Sequence, residues 1–150
     1  MRVALLFAMM FMVACAPLEP QKPAPHAFGT LPSEEQQIYL ALYRHMFAHW
    51  QQNKFSIPTH FYISLQGSDA PEDLLKRLSA EGYVVEPGFR YRERHGILCS
   101  TEMVHFQSPS RASVRGGYLF GSLGGEWGPF ILEKRHGIWT IISWNVDEMA

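Results

Sequence analysis

Little in this chain of 150 residues carries charge, and what there is cancels. Lys and Arg number 13 against 14 Asp and Glu, a formal net charge of −1. No cationic surplus is left for sequence-blind binding to nucleic acid. Cysteine is scarcer: Cys15 and Cys99 stand alone, so the chain can close one internal disulfide at most. The polar balance excludes a membrane protein with several spans. What is present is apolar mass. Hydrophobic residues make up 47% of the chain, enough for a packed core and too many for a disordered chain. The length suits one domain.

The longest apolar run lies at the start. Met1-Arg2 is a short positive beginning, and Val3 to Val13 is uninterruptedly apolar. A helix that crosses a bilayer needs about 20 such residues. This run instead has the length of a signal-peptide core, about 7–15 residues. Small residues Ala14 and Ala16 then flank Cys15. Met12-Val13-Ala14-Cys15 resembles the lipobox of bacterial lipoproteins, with Met12 in place of the usual Leu. The resemblance implies cleavage before Cys15, a diacylglyceryl group on its sulfur and an N-acyl chain. Two such signals anchor stably where one acyl chain holds only marginally. It also implies sorting to the outer membrane, facing the periplasm, because Ala16 replaces the Asp that retains such proteins in the inner membrane. With Cys15 lipidated, no intrachain disulfide remains.

Pro17, Pro20, Pro23, Pro25 and Pro32 follow. Proline fixes φ and removes donors, so the stretch is neither an ordinary helix nor a central strand. It reads as a spacer reaching up to about 50 Å, at ~3.1 Å per residue. The expected organisation is a signal peptide over 1–14, a lipidated Cys and proline tether over 15–32, and one globular domain over 33–150.

The domain opens on a helix signal. Ser33 and Gln36 have capping-box spacing, and Glu34 and Glu35 suit the positive end of a helix dipole. Tyr39, Leu42, Tyr43, Met46, Phe47 and Trp50 recur at offsets of three and four, a wide apolar stripe. Asn53 and Pro58 bound the helix. Phe61 to Leu65 reads as a strand. Asp69, Pro71 and Glu72 start a second helix carrying Leu74, Leu75 and Leu78, with Gly82 just past its end. Strands are then expected at Tyr83–Glu86, Phe89–Arg94, Ile97–Phe106, Arg111–Phe120, Trp127–Arg135 and Ile138–Trp144. The last two form a hairpin about His136-Gly137. Pro129 argues that the Trp127 strand is an edge or starts irregularly. The fold class that follows is α+β: a long N-terminal helix and a short second helix on a curved antiparallel sheet. By element order this resembles cystatin-like and nuclear-transport-factor-like rolls.

Several groupings bear on function. His45 and His49, one helical turn apart, can share a metal. Met46 occupies the position where a zinc protease needs Glu, and a third ligand such as His60 or Glu102 is not selected by spacing. The plainer reading is two histidines on a helix surface or cavity rim. Arg90, Arg92 and Arg94 alternate with Phe89, Tyr91 and Glu93. As a strand they present three guanidinium groups on one face, able to fork onto phosphates or carboxylates. Otherwise they form a charged edge that discourages aggregation. Gly116, Gly117, Gly121, Gly124, Gly125 and Gly128 lack both the Lys-Ser/Thr ending of a phosphate loop and the dinucleotide fingerprint. They are read as bends, bulges and a turn at Leu123-Gly124-Gly125. Their neighbours Tyr118, Phe120 and Trp127 suggest stacking on a sugar or peptide. Cys99 fits a buried structural thiol.

Gly117-Tyr118, Gly121, Gly124, Phe130-x-Leu132 and Gly137-x-Trp139 are similar to the C-terminal meander of a broad group of uncharacterised bacterial envelope proteins. Phe61-Tyr62-Ile63-Ser64-Leu65, Gly67 and Asp69-Ala70-Pro71 fit the same group. The resemblance brings no catalytic residues.

The sequence therefore points to a lipid-anchored envelope protein with no coherent catalytic set, no cofactor and no metal. Its domain is expected to bind an envelope protein or glycan through Arg90, Arg92 and Arg94 or through Tyr118 and Trp127. The alternative is a small-ligand carrier or enzyme with a cavity between helix and sheet, lined by His45, His49, Glu102 and His105.

Overall fold

In the computed structural model, which describes residues 27–52, 60–92, 96–121 and 124–149, the folded core begins ahead of the first long helix. Phe28–Thr30 forms a 3-10 turn, and Phe28 is 2% exposed within the core cluster. The folded part therefore includes residues ahead of Ser33, where the sequence placed its start. Asp73 holds this turn in place: its carboxylate accepts the N–H groups of Phe28 at 2.9 Å and Gly29 at 2.6 Å.

That pairing has a pH signature. Burial pushes the Asp73 carboxyl up, but the N–H groups of Gly29, Phe28 and Leu74 outweigh it and hold the group below its ordinary value. Such a carboxylate stabilises the fold at pH above the ordinary range near 3.9. Its contribution is lost as pH falls through the lowered folded-state value. Urea midpoints measured from pH 5 downward should fall less steeply for Asp73→Asn than for the wild type; equal slopes would refute the assignment.

α1 spans Ser33–Gln52 and is internal to the chain, following the 3-10 turn. It buries Ile38, Tyr39, Leu42, Tyr43, Met46 and Phe47, pairs of residues one turn apart that make the stripe two side chains wide. The capping box does not form. The Gln36 N–H donates to the Pro32 carbonyl at 3.1 Å, and its side-chain amide donates to the Leu31 carbonyl at 2.8 Å. Asn53 and Pro58 lie outside the described residues.

β1 (His60–Leu65) turns through Gln66-Gly67 into the short β2 (Ser68–Asp69). α2 (Glu72–Ala80) follows, with Gly82 beyond its end at φ +93, and leads to β3 (Val84–Pro87). β3 pairs with β1 in parallel, and so does β4 (Ile97–Thr101) on the other side. The sheet is therefore mixed rather than antiparallel. The reason is the β1–α2–β3 order: a helical crossover returns the chain in the direction in which it left.

The strand expected from Ile97 to Phe106 is two strands. Glu102 to Val104 interrupt β4 and β5 (His105–Ser108), which share one edge of β6 (Arg111–Phe120). β7 (Gly124–Arg135) and β8 (Ile138–Trp144) form the expected hairpin, His136 and Gly137 turning at φ +51 and +79. β9 (Glu148–Met149) returns to β7. The order is β2-β1-β4-β6-β7-β8, with β3 beside β1, β5 beside β6 and β9 beside β7.

β7 is thus interior, not the edge that Pro129 suggested. The Pro129 carbonyl accepts the Asn145 N–H at 3.1 Å. The side on which proline lacks its donor faces the break between β8 and β9, where no ladder bond is lost.

The architecture is α+β, two helices with an open nine-stranded sheet. Phe61, Ile63, Leu65, Ile97, Cys99, Ala112, Val114, Phe130, Leu132 and Trp139 are buried in one cluster with the helices. Within it Tyr43 donates to the Ser64 carbonyl and meets the Thr101 hydroxyl, both at 2.9 Å. Burial pushes the Tyr43 phenol and the Cys99 thiol up, so Cys99 is an unreactive core thiol.

Candidate functional site

Register shapes the sheet face turned away from the helices. Tyr62, Leu98, Leu119 and Gly125 stand side by side in one row across β1, β4, β6 and β7. Ser64, Ser100, Gly117 and Trp127 form the next row, with Glu148 beyond. Where the rows reach Gly117 and Gly125 there is no side chain, and a trough of about 280 Å³ results. Leu98, Ser100, Leu119, Trp127, Glu148 and Met149 line it, together with Tyr118 and Glu126. The β9 wall is tied by Arg115, which pairs with Asp147 at 2.8 Å and Glu148 at 3.0 Å. Those pairs raise the Arg115 guanidinium and hold Asp147 below the usual carboxylate range.

The helix-facing side of the same strand ends carries a different chemistry. Trp50 of α1 stacks on Tyr118 at 5.0 Å and meets Phe120 edge-on at 5.4 Å. Tyr118 donates to Glu126 Oε2 at 2.7 Å, and His49 Nε2 lies 4.0 Å from the same oxygen. Burial, and next the bond to Glu126, push the Tyr118 phenol up. Trp50, Tyr118, Phe120, Gly124, Gly125, Glu126 and Met149 surround a second pocket of about 330 Å³.

The expected site residues scatter among these features. Tyr118 and Trp127 come to the same end of β6 and β7; adjacent strand positions alternate, so they leave their strands on opposite faces, yet both line the trough. His45 and His49 both present their rings to Trp144, at 6.4 and 5.6 Å, so α1 packs them among aromatics. Burial, and next the neighbouring His49, hold His45 below the usual histidine range. Glu102 and His105 lie elsewhere, in a depression with Gln66, Gly67 and Met103. There the Glu102 carbonyl accepts from Tyr39, near the other end of α1. The proposed cavity of His45, His49, Glu102 and His105 is therefore not assembled. His60 faces Glu86 at 3.8 Å. Among the described residues no group of three or more His, Cys, Asp or Glu gathers to hold a metal.

The arginine face is corrected as well. Gly88–Arg90 is a 3-10 turn, because Asp69 accepts the Phe89 N–H at 2.8 Å and bends the chain off the sheet. Arg90 pairs with Glu86 at 3.4 Å, and Arg92 bonds to the Tyr91 carbonyl at 3.1 Å. No shared strand face exists for these two, and Arg94 lies outside the described residues. The side chain that matters here is Tyr91, between them. It meets Tyr62 edge-on at 5.6 Å, and its hydroxyl accepts the Gly121 N–H at 2.8 Å.

The glycines serve close approach. A β-carbon on Gly117 would lie 1.9 Å from the Glu126 carbonyl, and one on Gly128 2.0 Å from the Asn145 carbonyl. Ser122, Leu123 and Cys15 lie outside the described residues. Sequence reasoning missed Trp50, Glu126 and Met149 as pocket residues. The pairing of Tyr118 with Glu126 depends on the β6–β7 register, which a single sequence does not reveal.

No family model, curated protein or solved structure matches the chain. Among the described residues no helix is long and apolar enough to cross a membrane.

Proposed function

We propose that this chain is a lipoprotein of the bacterial cell envelope, anchored through Cys15, whose domain is a non-enzymatic module that binds an envelope glycan. The site is the trough on the open sheet face. By element order the domain is grouped with cystatin-like or nuclear-transport-factor-like rolls, from which the parallel pairs β1–β3 and β1–β4 depart.

The observation that carries the reading is Trp127 standing beside a floor without side chains at Gly117 and Gly125. An indole is a large apolar platform with a polar edge, matched to the C–H face of a pyranose. The Ser100 hydroxyl lies in the same trough for hydrogen bonding. Its volume is near the lower end of ligand pockets, about 300–1,000 Å³, which suits one sugar residue rather than a long chain. What supports the envelope address is the apolar leader, the lipobox-like Met12-Val13-Ala14-Cys15 and the proline-rich stretch after it.

Two measurements test the two halves. The intact mass of the protein extracted from membranes should show the diacylglyceryl and N-acyl additions, and Cys15→Ser should move it to the soluble fraction. An unacylated mature chain overturns the address. Titration with the peptidoglycan disaccharide, followed by NMR, should show saturable binding at the trough. Trp127→Ala should weaken it about tenfold, or about 1.4 kcal/mol. Binding that ignores Trp127→Ala, or no glycan binding at all, overturns the site. A protein captured through this face in place of glycan does the same.

A further inference from the structure

The pocket on the helix-facing side of β6 and β7 shares Tyr118, Gly125, Glu126 and Met149 with the trough and adds the rings of Trp50 and Phe120. Its walls are three aromatic rings from two elements, Trp50 of α1 and Tyr118 and Phe120 of β6. Trp50 meets the other two at centroid separations of 5.0 and 5.4 Å. The one formal charge among its lining residues is Glu126. Tyr118 and His49 both address Oε2 of that carboxylate. Oε1 has no hydrogen-bond or ion-pair partner among the described residues.

Aromatic faces carry the negative part of a quadrupole and attract cations held over them. A carboxylate with an unused oxygen adds a full charge at the same place. Small metal ions are poorly served here, since a hard cation needs six or more oxygens and one carboxylate supplies two at most. A large, weakly hydrated cation loses little on leaving water and gains from both the rings and the carboxylate. We propose that this pocket binds an organic ammonium group, with Trp50, Tyr118 and Phe120 as the cage and Glu126 as the counter-ion.

The two sites are told apart by Trp50 and Phe120, which line only this pocket, and by Trp127, which lines only the trough. Met149, 83% exposed, is one of the shared residues and gives this pocket an adaptable thioether wall.

The test uses the protein as purified from the cells that express it, whether or not it is acylated. Tryptophan fluorescence and NMR follow titration with choline, with n-butylamine at neutral pH, and with 3,3-dimethyl-1-butanol, the uncharged carbon counterpart of choline. At least one of the two ammonium compounds should bind saturably, about tenfold or more tighter than the alcohol, and the tighter of them identifies the head group. Glu126→Gln keeps an acceptor for Tyr118 and should remove that preference, while Trp127→Ala should leave it intact. Equal binding of ammonium and alcohol by the wild type overturns the proposal without recourse to any variant. So does saturation by neither ammonium compound, or an undiminished preference in Glu126→Gln.

Discussion

Replacing Phe47 with alanine is expected to destabilise the domain by about 3–5 kcal/mol, the range for truncating a buried phenylalanine. The ring is fully buried. It stacks on Phe61 of β1 at 4.0 Å, lies 4.8 Å from Tyr83 after α2, and reaches Tyr43 on its own helix at 6.2 Å. It therefore joins α1, the β1 strand and the α2 crossover at one point. Packing against rings from three separate segments limits how far the cavity can collapse, which places the cost toward the top of the range. Against a total stability of about 5–15 kcal/mol for a domain, the loss is a large share. Urea unfolding should show a lower midpoint at unchanged slope. A shift below about 1 kcal/mol, the size of a typical point-mutant effect, would mean that the stack contributes nothing.

Gly117→Ala is the second large effect, and its cause is the opposite one. The backbone at Gly117 is ordinary, so alanine meets no conformational obstacle there. Its methyl group would, however, sit 1.9 Å from the Glu126 carbonyl and 2.8 Å from the Trp127 Cα. Both neighbours are backbone of a paired strand, so neither swings aside as a side chain would. β6 and β7 must part locally, at or above the usual overpacking cost of about 1–3 kcal/mol. Gly137→Ala offers the contrast. It stands in open space at φ +79 and costs only the left-handed penalty of about 1–2 kcal/mol. The urea midpoint should therefore drop more for Gly117→Ala than for Gly137→Ala; the reverse order would refute the close-packing account.

Part of this molecule can be read without coordinates. The α1 stripe, the α2 leucines, the β6 span and the β7–β8 hairpin are local patterns, and local periodicity reports them. A strand–helix–strand order is compatible with the parallel pairing of β1 with β3, whereas the run of short strands downstream points to an antiparallel sheet. The break at Glu102 to Val104 leaves alternation intact on both sides, so nothing in the spacing announces it. Arg90 and Arg92 alternate as a strand does, yet Asp69, twenty residues upstream, accepts the Phe89 N–H and turns the chain. The two pockets depend on which residues stand opposite one another. Gly117 beside Trp127 and Tyr118 beside Glu126 follow from a register between distant segments. A one-residue slip would send each of them to the other face.

The C-terminal strand has a consequence of its own. Two residues long, it borders both pockets and is moored by Arg115 through solvent-exposed ion pairs with Asp147 and Glu148. Mobile ions screen such contacts, over about 8 Å at physiological strength and about 3 Å at 1 M. Brine would therefore slacken the shared border, and even an uncharged sugar would be retained less firmly in concentrated salt than in dilute buffer.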